Sequence, residues 1–136
     1  MRGSLVEWDG GSITPMLGGM VFIVLTMVAL ATEVAGLHSA FLEVAAVADA
    51  AAEAGAALVD PASIHSGEVR LDQHRASLES ARLVEAVAPA ADYAVEVAAL
   101  EVCVDVRVAR PMGVLTVIGI DSFTVAASSC AGPATG

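Results

Sequence analysis

Basic side chains are scarce in this chain. Six arginines face sixteen carboxylates, and the formal net charge is -10. Without a basic run or stripe there is no electrostatic footprint for DNA or RNA, so nucleic acid is excluded as a partner. Lysine and asparagine are absent altogether, which a GC-rich coding bias explains as readily as selection does, and nothing structural follows from it. Aromatic residues make up only 4% of a sequence that is 57% hydrophobic. The apolar content is mostly alanine and valine, which fill large cores poorly, yet a mean hydropathy of +0.75 is too high for disorder. Membrane insertion or helix packing is the reading this favours. The chain has no G-x-S-x-G, no P-loop and no G-x-G-x-x-G, and serines scattered among His and Asp do not by themselves make a triad. The protein therefore reads as a non-enzyme, with no catalytic residues, no cofactor and no small-molecule substrate. Its 136 residues allow one small domain with an appendage, and there is no repeat, long linker or second core.

No charged side chain occurs from 10 to 32, and the 20 residues 13–32 would extend about 30 Å as a helix, enough to cross a bilayer core. Nine strongly apolar residues (Ile13, Leu17, Val21, Phe22, Ile23, Val24, Leu25, Val28 and Leu30) together favour insertion by roughly 3–5 kcal/mol. Gly10-Gly11-Ser12 reads as a break, and Pro15 is tolerated in a first turn, which sets the helix start near Ser12 to Thr14. Residues 1–12 are then a short leader. Two other readings stand beside the spanning helix: a buried core helix, for which so small a domain has little cover, and a signal peptide cut after Ala29-Leu30-Ala31. The first Arg beyond the span is Arg70, so the positive-inside rule places the N-terminus in the cytoplasm and exports the C-terminal part.

Beyond Glu33, the residues Val34, Leu37, Phe41, Val44, Ala48, Ala51, Gly55 and Leu58 recur at alternating spacings of three and four, a heptad seam. Glu43, Asp49 and Glu53 fall off it. The seam shrinks to Ala and Gly toward Gly55, so a partner can approach closely. Its distal half is expected to pack on the protein's own globular part, and its membrane-proximal half to meet another molecule. The region 33–60 is thus an amphipathic continuation of the span, a single helix of some 45 residues that Asp60-Pro61 ends.

Residues 61–136 form the exported part. From Ser63 to Ala88, polar residues surround Leu71, Leu78, Val84 and Val87 in what reads as a second, amphipathic helix closed by Pro89. The period then changes to two. Tyr93, Val95 and Val97 alternate, followed by Leu100, Val102, Val104, Val106 and Val108, with a tight turn or bulge at Ala98-Ala99. Pro111 and Gly113 mark a connection, Phe123, Val125 and Ala127 lie along a last strand, and the tail from Ala131 reads as frayed. The expected fold class is α+β: a small antiparallel sheet covered by the second helix and the outer half of the long one.

His65, Glu68, Asp72 and His74 match no ligand spacing and read as a solvated helix face, so no metal site is assigned. Cys103 and Cys130 lie near different strands and would pair in an oxidising compartment; two unpaired thiols or an intermolecular bridge are the alternatives.

Several stretches together resemble the TadE/TadG-like proteins, minor pilins or pseudopilins of the tight-adherence branch of type IV pili. They are the polar leader Gly10-Gly11-Ser12-Ile13-Thr14-Pro15, the immediate span, Val47-Ala48-Asp49-Ala50-Ala51-Ala52-Glu53-Ala54-Gly55-Ala56, and the later Val104-Asp105-Val106-Arg107-Val108-Ala109-Arg110-Pro111 and Phe123-Thr124-Val125-Ala126-Ala127-Ser128. The resemblance implies a single-pass protein that takes part in assembling a pilus or secretion filament, its helix packed among other pilin-like subunits or against the assembly platform. It also implies leader processing at Gly10 or Gly11. The chain departs from the prepilin pattern, with Pro15 or Met16 where a Glu would stand five residues into the mature protein. Two readings of other kinds stay open. One is a secreted binding module released after Ala31, and the other a single-pass subunit of an unrelated membrane complex.

Overall fold

The computed structural model describes residues 13–133, apart from the side chains of 13, 14 and 64–66. An unbroken supply of Ala, Leu, Val and Met with no interior proline after the first turn produces one helix, α1 (Ile13–Ala56), of 44 residues and about 66 Å. It ends four residues before the expected Asp60-Pro61 stop. The backbone of 58–60 is claimed by an extended partner instead: Asp60 N donates to Arg70 O (2.8 Å), Asp72 N donates to Leu58 O (2.9 Å), and Val59 bridges Leu71. Pro61 opens a short helix, α2 (Pro61–Ser66), in which the Asp60 carboxylate accepts from Ala62 N.

The single amphipathic helix expected from Ser63 to Ala88 is two helices. Gly67, with φ of 74°, takes the chain out of α2, and the pairing of Leu71 with Val59 holds the next segment extended. Asp72 then caps α3 (Gln73–Val87) by accepting from Arg75 N at 3.1 Å. The buried face of α3 is Ala76, Ser80 and Val84, so Leu78 and Val87, expected inside, lie on the surface.

Three antiparallel strands follow in the order β1 (Asp92–Val97), β2 (Val102–Pro111), β3 (Ser122–Ala131). Val97 pairs with Val102, so residues 98–101 are a tight turn closed by Ala98 N donating to Glu101 O, and Leu100 sits exposed at its tip rather than in the strand alternation. Ala131 is not frayed but pairs with Val102. Alternation puts Val102, Val104 and Val106 on the helix side, all fully buried, at about 1.5–3 kcal/mol each. The opposite face carries Cys103, Asp105 and Arg107. The α+β class is as expected: helices on one face of a small antiparallel sheet.

Strand β2 runs back along the outer half of α1. Val102 lies beside Gly55, Arg110 beside Glu43, and Gly113 beside Glu33. The 11 steps from Val102 to Gly113 cover about 36 Å at strand rise, and the 22 from Gly55 back to Glu33 cover about 33 Å at helix rise, so strand and helix match end to end. Fully buried Ala48, Ala51 and Ala52 with buried Gly55 let both the sheet and α3 come close to the α1 backbone. Ser80 Oγ, buried, donates to Ala51 O at 2.8 Å.

A Cβ on Gly55 would overlap Ser80 Oγ and lie 3.1 Å from Val102 Cγ1. Gly55→Ala is therefore expected to destabilise the head by about 1–3 kcal/mol in denaturant unfolding of the detergent-solubilised chain. In a Ser80→Ala background the same change should cost less, and equal costs in the two backgrounds would refute this close-packed contact.

Candidate membrane and helix-packing interface

The N-terminal half of α1 has no cover. Every side chain from Pro15 to Val28 is exposed, among them Met16, Leu17, Phe22, Ile23 and Leu25. Among the described residues this is one helix long and apolar enough to span a membrane, and none of its most apolar stretch is buried. That geometry removes the buried-core-helix reading, because a core helix would be enclosed by its own domain. The two hydroxyls in and at the end of this segment are already satisfied: Thr26 Oγ1 donates to Phe22 O (2.8 Å) and Thr32 Oγ1 to Ala29 O (2.7 Å). Such pairing suits a medium that offers no hydrogen bonds.

The heptad seam divides. Val44, Ala48, Ala51 and Gly55 are buried under the head, and they share that face with Ala40, Val47, Ala52 and Ala56, which the heptad did not include. The covered stripe follows rows of i and i+4 and is wider than a heptad seam, because a sheet and a helix both lie on it. Leu58, beyond the helix end, is half-buried against the core. Nearer the bare apolar half, Val34 and Phe41 are exposed and Leu37 is half-buried in a shallow groove beside Met112. Glu43, Asp49 and Glu53 face solvent. Gly10 and Gly11 lie outside the described residues.

Two acidic side chains of α1 clamp the descending strand. Glu43 Oε2 meets Arg110 Nη2 at 2.7 Å, a partly exposed pair contributing about 0–1 kcal/mol. Glu33 does something different: Oε1 accepts from Gly113 N (2.7 Å) and Oε2 from Val114 N (3.2 Å). One carboxylate thus occupies both backbone donors that lead into the 3-10 turn η1 (Leu115–Ile118), a polar group put to use where the helix leaves its apolar segment.

Cys103 and Cys130 stand directly opposite in register and form a disulfide, with Cα atoms 4.0 Å apart. Closing a 27-residue separation contributes about 3–4 kcal/mol in the chain-entropy account, a large share for a small alanine-rich core. Glu101 lies near both sulfurs, but the disulfide consumes the thiolates a metal would need. Glu68 pairs with Arg70 and Asp72 caps α3, so among the described residues these carboxylates and His74 do not converge; the His65 side chain lies outside the description.

Tyr93, the one tyrosine, ties β1 to α3 by donating its hydroxyl to Glu85 Oε1 at 2.5 Å. That hydrogen bond, with some desolvation and the carboxylate's charge, raises the phenol above its ordinary value. The folded chain holds this proton more tightly than the unfolded one. Its contribution is therefore complete below the ordinary phenol range and is lost as pH rises through the elevated value.

No family model matches the chain, and no curated protein or solved structure matches it either.

Two outcomes follow from this geometry. Glu33→Ala should lower the hydrogen-exchange protection of the Gly113 and Val114 amides about tenfold while leaving β2 amides unchanged, the loss of about 1.4 kcal/mol per charge-assisted bond; unaltered protection would show that the carboxylate does not hold the loop. Glu85→Ala should move the ultraviolet ionisation midpoint of Tyr93 down toward the free phenol value, and an unmoved midpoint would break the assigned link between the two side chains.

Proposed function

We propose that the protein is a membrane-anchored, TadE-like minor pilin or pseudopilin that takes part in assembling a pilus or secretion filament. The observation that carries this reading is the division of α1: one continuous helix whose first half is apolar and bare and whose second half lies under an α+β head. In this reading the N-terminus is cytoplasmic and the acidic head extracytoplasmic. The Cys103–Cys130 disulfide supports an oxidising location for the head. The partners are the lipid bilayer and other pilin-like subunits or the assembly platform. The contact surface outside the bilayer is the exposed side of the membrane-proximal seam, Val34 and Phe41, where a neighbouring helix can lie without displacing the head.

Replacing Val34 and Phe41 together with Asp tests this, since both are exposed in the isolated chain. In the native host the wild-type protein should fractionate with membranes or filaments and be crosslinked to pilin-like subunits, and the double variant should stay in the membrane but lose the crosslinks at least tenfold, the loss expected of a contact worth about 1.4 kcal/mol or more. Undiminished crosslinking would overturn the seam as the contact. A soluble mature form beginning at Thr32 would overturn the anchored reading in favour of a secreted module.

A further inference from the structure

The β2–β3 connection is the end of the head nearest the span. Strand β2 descends along α1 from Arg110, beside Glu43, to Gly113, beside Glu33, a drop of ten helix positions or about 15 Å toward the apolar segment. Residues 111–120 contain no charged side chain. Met112 is buried and Leu115 half-buried, but the other large apolar groups of this stretch are open: Val117 is 87% exposed, Ile118 70%, Val114 44% and Ile120 44%, and Phe123 at the start of β3 is 51% exposed. A loop in water that displays this much apolar surface at its tip is unusual, and here its Gly113 and Val114 amides are bound to Glu33, where the exposed apolar run of α1 ends.

Its backbone is prepared for a dry environment. Met112 N donates to Asp121 O, Val117 N to Val114 O, Gly119 N to Thr116 O and Ile120 N to Leu115 O. Thr116 Oγ1 donates to Gly113 O, and the Glu33 carboxylate takes the Gly113 and Val114 donors. Polar groups bonded in this way lower the cost of leaving water. Glu33 fixes the height, because it is the first charged residue after a segment long enough to cross the bilayer core.

We infer that the 114–120 loop is a second membrane contact, its Val117 and Ile118 side chains seated in the acyl-chain boundary of the leaflet from which α1 emerges. The occupant is lipid rather than a protein groove, because the loop is fastened at Gly113 and Val114 to Glu33, where the bare apolar run of α1 ends, and it carries no charge. The inference rests on the membrane anchoring in the proposed function but not on any filament partner.

The test uses the full chain in phosphatidylcholine vesicles at low protein density, with Trp8→Phe removing the sole native indole. Single tryptophans are introduced by Ile118→Trp, by Leu25→Trp in the span, and by Leu100→Trp at the opposite end of the head; all three positions are more than half exposed, so no packing is disturbed. Lipids brominated near the headgroup end of their chains should quench Ile118→Trp at least about twofold and more than lipids brominated near the chain ends, as expected at an interfacial depth. Leu100→Trp should be unaffected. Quenching of Leu25→Trp without quenching of Ile118→Trp would overturn the loop contact and leave the anchor standing, whether the loop indole emits as in water or as if covered by a second protein copy. A chain that does not float with the vesicles would overturn both.

Discussion

Everything in this molecule depends on how closely other elements can approach one stretch of helix backbone. Between Ala48 and Ala56 the helix presents almost nothing larger than a methyl group on its inner side. The valines of β2 can therefore reach it from one direction while Ala76 and Ser80 of α3 reach it from another. A chain with 4% aromatics has few large side chains to bridge wide gaps, so it builds its core by narrowing them. The cost is intolerance: where the backbones are this close, a single added carbon has nowhere to go.

Polar contacts then register the closely packed elements against one another. Ser80 to Ala51 sets α3 on α1, Tyr93 to Glu85 sets β1 on α3, and Arg110 and the Gly113–Val114 amides set β2 against Glu43 and Glu33. None is strong alone, and most are open to solvent. Together they define a position along the helix that alanine packing, which is smooth, leaves undefined. The disulfide closes the far face of the sheet at the end opposite Glu33.

Much of this architecture was legible in the residues. The long helix and its bare first half followed from an apolar run and a helical period, and the inward valines of β2 from strict alternation. The distal seam was legible as a packing face, although its full width was not, since Ala40, Val47 and Ala52 fall outside the heptad and are seen to be packed only once two layers are known to cover them. The break between α2 and α3 was hidden because its causes, Gly67 and the cap at Asp72, look like ordinary members of a polar helix face. The site at Glu33 was illegible for a different reason. Its partners are backbone amides some 80 positions away, which carry no side-chain signature. The loop after Pro111 read as a mere connection because its apolar residues follow neither period.

The tie between Glu33 and the loop also bears on motion. In many anchored proteins the head hangs from its membrane segment by a flexible joint, so the two reorient separately. Here the helix passes out of its bare segment without a break, and the lower end of the head is fastened to it at the first charged residue. A quarter turn of the bare apolar shaft would carry the acidic head through the same quarter turn, with nothing between them to absorb the torque.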